Sequence, residues 1–541
     1  MRQRLMPVLL GGLLLAGGAG ALAQAEAERR LDAAIAQLRA ALGPEAQLEI
    51  GGRRLDPVSG QATLADVTII RGADRITIPE AILSELGEGR IGRAELRRIG
   101  QRSSTAASDT DRLVLTGLAI PAPGTALTLQ ALAFDRAEIE SLRIADADSK
   151  TVLARLTLDG WRGGSVGAAM LEGLDVTTAG QGPTPGNSLR LERLVLADLV
   201  LPLAGADPDP RAFRAGRIAL EGLAGREGAN TIAFSLGRLE LRDWRPGRPT
   251  TLQLDDLRAS APAQQLGQLD LRLDRIEVSG VDGAGTLAAM LDNRQVPDPF
   301  DGLPQRLSVE GVRAEAEGQP LLALGRLLSE NRLERGLLSG RLATEGFRLT
   351  LPRGQGEWVQ ALGYREIAGG IEIAGAAPRA GGRLDIDPVR IAWDQAATLT
   401  LTAWLDGLPP TPEAGTPIDP AAALAEWAAM RLGALTLMLR DHGLLGRMVA
   451  QQARQQRIPE ARLREQWAQM ALTLPLPGAA PAKGPDPLLS LREALAAFIR
   501  QPGTLEIALR PPQPLAFAEL AQLQGDPAEG LRRLGLTARA R

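Results

Sequence analysis

The side chains best suited to catalysis are few and isolated along the chain. The single histidine, His442, stands next to Asp441, as in the first half of a catalytic dyad. A nucleophile would have to complete the dyad, and the chain has no Gly-x-Ser-x-Gly sequence to expose a serine. Aspartate is also a common helix cap. We therefore expect Asp441 to cap a helix that begins near Gly443.

Carboxylates recur beside prolines rather than in pairs that could share a cleft. They occur in ADPDPRAF (206–213), VPDPFDG (296–302) and LDIDP (384–388). Acid–base catalysis needs two carboxylates in different environments, whereas aspartate beside proline is typical of turns. The DPFDG stretch leaves a weak cation site open as an alternative. One histidine and no cysteine argue against zinc, iron–sulfur and thiol chemistry. We predict no enzyme activity and no catalytic, cofactor-binding or metal-binding residues.

The composition argues against a nucleic-acid-binding protein. Charged residues make up 23% of the 541 residues and balance to a net charge of −3, and aromatic residues make up only 3%. Binding to nucleic acid requires a positive surface and, for single strands, aromatic side chains for stacking. A chain of this length is too long for one compact core, so we expect several domains or one elongated repeat body.

The N-terminus has the sequence of an export signal. Arg2 and Arg4 precede an apolar, glycine-rich run, and Ala21-Leu22-Ala23 provides the small residues that signal peptidase recognises. We predict a signal peptide over residues 1–23 and a mature protein in the periplasm. An uncleaved membrane anchor is the alternative.

An amphipathic helix is predicted within residues 24–46. Leu31, Ile35, Leu38 and Leu42 fall at helical spacing, and Gly43-Pro44 ends the pattern. We expect this helix to pack on protein, with a membrane-surface role as the alternative.

Residues 47–406 are predicted to form strands with a recurring shift in the apolar alternation. Leu191, Leu194, Leu196, Leu199 and Leu201 show it twice in one stretch, because two residues separate each apolar pair from the next. The same spacing recurs in ATLADVTI (62–69), LVLTGLAI (113–120), LTLQALAF (127–134), FSLGRLEL (234–241), LQLDDLRA (252–259), LRLDRIEV (271–278) and LSVEGVRA (307–314).

A two-residue insertion would turn the second apolar pair toward solvent, at about 1.5–3 kcal/mol per leucine. An extra residue held in a β-bulge restores the facing and bends the strand. A hairpin turn at each middle pair fits less well, because the strands would be too short. We therefore predict a strongly curved, mostly antiparallel sheet of bulged strands, with Gly117, Gly222 and Gly311 at the bends.

The C-terminal residues are predicted to form a separate domain. A proline-rich connector over residues 407–420 precedes helical segments and short strands over residues 421–541. We expect this α+β domain to cap the open edge of the sheet. The predicted fold is thus β-rich α+β.

The strand-rich region resembles the AsmA/TamB-like envelope proteins of Gram-negative bacteria. The resemblance lies in the strand motif of Leu113, Leu115, Gly117, Leu118 and Ile120, with counterparts in LSVEGVRA (307–314) and IALEGLAG (218–225). It implies an apolar β-groove that binds or moves phospholipid, or that assists outer-membrane assembly. It implies no catalytic residues.

These observations lead to a hypothesis of a non-enzymatic periplasmic protein with an apolar groove. Its expected ligand is phospholipid or another acyl-chain lipid, with envelope proteins as further partners. The predicted lining is Leu191, Leu194, Leu196, Leu199 and Leu201, together with Leu271, Leu273, Ile276 and Val278 on a neighbouring strand. The alternative is a scaffold whose apolar face closes into a core.

Overall fold

The computed structural model describes residues 21–56, 59–87, 89–120, 131–180, 186–200, 210–228, 232–264, 266–351, 356–475, 486–522 and 527–541. The chain forms two compact units, Met1–Ala263 (unit 1) and Gln264–Arg541 (unit 2). Antiparallel sheet dominates both units, and the β-rich, mostly antiparallel fold that the sequence predicts is confirmed to this extent.

Unit 1 is a helix followed by strands that pair in sequence order. Its described residues form helix α1 (Ala21–Leu42), a 3-10 turn (Pro210–Ala212) and the strands β1 (Ala46–Leu55), β2 (Ala62–Arg71), β3 (Asp74–Gly87), β4 (Arg90–Arg102), β5 (Ala106–Ala119), β6 (Ala133–Asp146), β7 (Ser149–Arg162), β8 (Ser165–Thr178), β9 (Ser188–Val200), β10 (Ala215–Glu227), β11 (Ile232–Trp244) and β12 (Thr250–Ala263). Each strand is antiparallel to the next.

Unit 2 combines further strands with short helices. Its strands are β13 (Gly267–Val281), β14 (Gln305–Ala316), β15 (Gln319–Glu334), β16 (Leu337–Glu345), β17 (Phe347–Leu349), β18 (Ile367–Pro378), β19 (Gly382–Trp393), β20 (Ala397–Leu408), β21 (Arg431–Asp441), β22 (Thr504–Leu509), β23 (Leu515–Ala516) and β24 (Leu536–Ala540). Its helices are α2 (Gly283–Leu291), α3 (Glu357–Ala361), α4 (Pro420–Ala429), α5 (Leu444–Gln456), α6 (Glu460–Leu472), α7 (Leu489–Arg500), α8 (Phe517–Gln522) and α9 (Pro527–Arg533).

Helix α1 packs its apolar side into the core of unit 1. Leu31, Ile35 and Leu38 are at most 6% exposed and belong to one cluster with buried residues of β2–β6. Gly43 follows the helix with a φ of +84°, a conformation that glycine adopts without steric cost. The prediction of a helix that packs on protein is therefore confirmed for these residues.

Each strand continues without a turn through the two-residue interruptions of its apolar pattern. In β4, for example, Ile91, Ala94, Leu96 and Ile99 are all buried, so two outward residues twice separate the inward ones. A hairpin turn at these positions is thus excluded, as the sequence analysis expects. One motif, LTLQALAF, begins at residues 127–130, which lie outside the described part of the chain.

The strand register shows that the shift needs no extra residue. Between β1 and β2, Ile50 pairs with Val67 and Gly52 with Ala65, so the register is the same on both sides of the interruption. A bulge would offset the register by one residue. The prediction of one-sided bulges is therefore wrong for these ladders. Register shifts do occur in unit 2, for example between Ala314 and Glu315 on β14.

The strands change phase through single residues with positive φ, which we call kink residues. In unit 1 the even-numbered strands β2–β12 carry one row of them: Asp66, Arg98, Ser141, Gly173, Gly222 and Asp256. The odd-numbered strands β3–β11 carry a second row: Glu85, Gly117, Gly160, Asp198 and Asp243. After each kink residue, the alternation of side chains between the two faces of the sheet is reversed. The neighbouring strand shows the same reversal at the residue directly opposite. Gly117, Gly222 and Gly311, which the sequence analysis places at strand bends, have positive φ, at 63°, 66° and 69°.

The C-terminal segment continues the sheet of unit 2 rather than forming the separate domain expected from residue 421. Strand β21 pairs with β20 along ten residue pairs, from Ala397–Asp441 to Asp406–Arg431. The predicted connector corresponds to the non-helical stretch before α4. The boundary between the two units lies instead at residues 263 and 264, inside the predicted sheet region.

Candidate functional site

Rows of apolar side chains cross the sheet of unit 1 on one face. Residues directly opposite each other on paired strands project to the same side. On β9, Leu191, Leu194 and Leu196 lie opposite Leu174, Leu171 and Ala169 of β8 and opposite Leu223, Leu220 and Ile218 of β10. Leu191, Leu194 and Leu196 therefore share a face despite the shift between the first two.

The residues predicted to line the groove differ in burial. Leu191 is 7% exposed and Leu199 is 6% exposed, whereas Leu194 and Leu196 are half-buried. Leu201 lies outside the described residues.

In unit 2, all four predicted residues, Leu271, Leu273, Ile276 and Val278, are half-buried on β13. The sequence analysis expects these residues on a strand next to β9, and this is wrong. Strand β9 pairs with β8 and β10, and β13 pairs with β14 in the other unit.

The apolar face of unit 1 changes from sealed to partly open along the strand order. Leu64, Leu83, Leu96 and Leu113, on β2–β5, are at most 1% exposed. From β8 onward most apolar residues of the face are only half-buried, and Phe234 on β11 is 38% exposed. Helix α1 packs into the cluster that contains these sealed residues, through Leu31, Ile35 and Leu38.

The apolar face of unit 2 contains exposed isoleucines on two neighbouring strands. Ile371 and Ile373 of β18 are each 42% exposed, and Ile391 of β19 is 47% exposed. Ile371 pairs with Ile391, so the exposed side chains are adjacent on one face. Sequence reasoning missed these residues, although the alternation in GGIEIAG (369–375) was a usable signal. Folded proteins seldom leave such adjacent apolar side chains uncovered without a use for them.

Short helices cover the last strands of the same face. Phe498 and Ala494 of α7 pack on Leu505 and Ile507 of β22, together with Leu439 of β21. The ladder Ile391–Leu399–Leu439–Leu505 connects this covered end with the exposed residues on β19. Within unit 2 the face is therefore open in its middle and capped at β21–β22.

The opposite face of the unit 1 sheet is charged and neutralised by cross-strand ion pairs. Glu95 on β4 accepts hydrogen bonds from Arg112 (3.0 Å), Arg97 (3.1 Å) and Arg93 (3.2 Å). These bonds, that of Arg112 above all, lower the pKa of Glu95 from 4.5 to about 2.

Glu240 on β11 repeats this arrangement. It is 4% exposed among Arg217, Arg238 and Arg242. Burial alone would raise the pKa of Glu240, but the hydrogen bonds from the arginines hold it below its ordinary value. Such ion pairs satisfy the charges that the polar face of the sheet carries.

The candidate dyad of Asp441 and His442 has a structural role at the start of helix α5. The Asp441 carboxylate accepts hydrogen bonds from the backbone N–H groups of Gly443 (3.0 Å) and Leu445 (2.9 Å), at the start of α5. The expected capping role is confirmed, with Gly443 itself at the cap position. The Nε2 atom of His442 lies 3.0 Å from the Thr398 hydroxyl. Within the described ranges, His, Asp and Glu side chains form no cluster of three that could hold a metal ion.

Comparison with known proteins gives little guidance on function. Residues 390–541 match a family model that is described only as an uncharacterized protein. No curated protein matches the chain. None of the described helices combines the length and the apolar character needed to cross a membrane.

Proposed function

We propose that this chain is a non-enzymatic protein of the cell envelope that binds acyl chains of lipid on its apolar sheet face. The observation that carries the proposal is the adjacent exposure of Ile371, Ile373 and Ile391 on a continuous apolar ladder. Acyl chains gain about 25 cal/mol for each Å² of apolar surface removed from water on both partners. A face of branched aliphatic side chains, without converging polar groups, suits such a ligand.

In unit 1, the two kink rows support a curved shape for the part of the apolar face that lies in that unit. A residue with positive φ changes the direction of its strand, and kinks aligned across neighbouring strands add their bends. We propose that the two rows of unit 1 curve its sheet around the apolar face. The kink residue Gly117 also belongs to the strand motif that resembles the AsmA/TamB-like proteins, whose members are associated with phospholipid movement and outer-membrane assembly.

The proposed location is the periplasm, reached through cleavage after Ala23. The support is the sequence of Arg2, Arg4 and the Ala21-Leu22-Ala23 site. N-terminal sequencing of the protein from fractionated cells tests this. A mature chain that begins at Gln24 in the periplasmic fraction is the expected result, and an intact Met1 on membrane-bound protein contradicts it.

The decisive experiment compares two adjacent residues on opposite faces of β19. Ile391 lies on the apolar face, and Arg390 is an exposed residue that points to the other side of the strand. A photoreactive amino acid is placed at either position in cells. Lipid adducts should form at position 391 and not at position 390. Equal labelling at both positions, or adducts to protein alone at position 391, would contradict lipid binding.

Polar substitution separates an open groove from the alternative scaffold with a closed core. Leu64 is fully buried, so Leu64→Asp buries an unpaired charge and should prevent folding. Ile371 is 42% exposed, so Ile371→Asp should fold and lose co-purified lipid, as measured by mass spectrometry. If Ile371→Asp unfolds the protein as Leu64→Asp does, the scaffold is the correct function.

A further inference from the structure

The odd row of kinks in unit 1 carries an acidic residue in all but one of its hairpins. Among the described residues this row crosses five hairpins, and the register places two residues opposite each other at each kink. These pairs are Glu85–Gly92, Gly117–Asp135, Gly160–Gly167, Asp198–Gly216 and Asp243–Thr250. Only the β7–β8 hairpin has glycine on both strands and hence no carboxylate.

The carboxylates on either side of this hairpin bind arginines at the same sheet edge. Asp135 accepts hydrogen bonds from Arg90 (2.8 Å) and Arg162 (3.1 Å). Asp198 is bound to Arg245 at 3.4 Å. At these two hairpins a carboxylate at the kink is thus the counter-ion of the arginines that border the row.

A cavity of about 550 Å³, open to solvent, lies at this hairpin. Gly160 and Gly167 form part of its wall, together with Arg162, Arg214, Arg245 and Asp198. A Cβ atom built on Gly160 would lie 3.7 Å from its nearest neighbour, and one built on Gly167 would lie 3.3 Å from the backbone oxygen of Asp159, which a shift of a few tenths of an ångström relieves. Three guanidinium groups and one carboxylate line the cavity. Because Arg162 and Arg245 are paired with Asp135 and Asp198, the excess positive charge comes from Arg214.

We propose that this cavity binds a phosphate group, which takes the place of the missing carboxylate. Arginine presents several N–H donors in a plane and bonds phosphate oxygens in a bidentate manner. The Arg162 and Arg245 side chains are held at the cavity by Asp135 and Asp198 on its two sides, which positions their remaining donors. Free phosphate and the phosphate of a lipid headgroup share this chemistry. The proposal stands independently of acyl-chain binding on the apolar face.

Isothermal titration of the purified protein with inorganic phosphate tests the site, and Arg214→Gln is the first variant. Arg214 is an exposed residue, so its replacement leaves the fold intact. Binding should weaken at least tenfold, which corresponds to about 1.4 kcal/mol. Unchanged phosphate binding in this variant, or no binding to the parent protein at about 10 mM phosphate, would overturn the proposal.

The second variant restores the missing carboxylate, with a neutral variant as its matched control. In Gly167→Asp the new side chain stands opposite Gly160, as Asp135 stands opposite Gly117. It should fold and lose phosphate binding, because its own carboxylate neutralises the arginines. Gly167→Asn has the same size without the charge and should bind within threefold of the parent protein. Equal binding by both variants would contradict the replacement of a carboxylate by phosphate.

The source of the phosphate is identified by competition. A short-chain phosphatidylglycerol below its micelle concentration should displace inorganic phosphate. If it binds more than tenfold tighter than inorganic phosphate, the ligand is a lipid headgroup. If the two bind alike, the ligand is free phosphate. A lipid that binds without displacing phosphate would refute a common site.

Discussion

Exchanging the two facing residues at one kink tests whether their side chains compete for the same space. At the β13–β14 kink, Gly311 has a φ of 69° and faces Asp274. A Cβ atom on Gly311 would lie 2.7 Å from the Cβ atom of Asp274, a contact that no side-chain rotation relieves. The β11–β12 kink has the reverse arrangement, with Asp256 at positive φ and Gly237 opposite. Either order should therefore fold, provided that one member is glycine.

The expected energies follow from this geometry. Gly311→Asp should destabilise by about 2–4 kcal/mol, of which about 1 is the left-handed backbone and about 1–3 the forced contact. Asp274→Gly alone should cost about 0.5–1 kcal/mol through added backbone freedom. The double variant removes the contact, so it should be about 1–3 kcal/mol more stable than the sum of the single changes implies.

Urea unfolding of the four proteins measures this coupling. The parent, the two single variants and the double variant form a complete cycle, and the midpoints are compared under one condition. Additivity within about 0.5 kcal/mol would show that the two side chains do not share one space, and the account of the kink pairs would then be wrong.

Further predictions concern a buried ion-pair network, the helix and the histidine. Because the pKa of Glu95 is lowered to about 2 in the folded protein, its stabilisation is complete above pH 4.5 and is lost as the pH falls toward 2. Glu95→Gln should therefore cost about 1–3 kcal/mol at pH 7 and flatten the fall in stability between pH 4.5 and 2, and an unchanged pH profile would count against the network. Leu38→Ala should cost about 2–5 kcal/mol in thermal unfolding, whereas Arg39→Ala, on the exposed side of α1, should leave the midpoint unchanged. His442→Gln should keep cellular function at normal protein abundance, because the side chain of this exposed histidine bonds to the hydroxyl of Thr398 on β20. Loss of function in the folded variant would reopen the case for catalysis.

Features that depend on near neighbours in the chain could be predicted from the sequence. Helix α1 follows from the spacing of four apolar residues and the Gly43-Pro44 stop. The positive φ at Gly117 follows from its place between two apolar pairs, because glycine adopts this conformation most readily. The sequence did not distinguish a bulge from a paired kink, because that difference lies in the register between strands.

Features that depend on distant parts of the chain could not be predicted in this way. Leu96 and Leu194 have the same residue type, the same local pattern and positions on one apolar row, yet Leu96 is sealed and Leu194 is half-buried. The difference arises from what covers each strand, and no property of the strand's own residues reveals that cover. Likewise, the pairing of β20 with β21 crosses a proline-rich stretch that looks like a domain linker.

The alternation of the two kink rows limits how such a sheet can change in length. One row uses the even strands and the other the odd strands, so each hairpin contributes one kink to each row. Loss or gain of a single strand would bring two kinks of the same row onto adjacent strands, where both would turn at the same point. Loss or gain of a whole hairpin leaves both rows in step. The hairpin is therefore the unit in which this sheet can grow or shrink while its apolar face remains continuous.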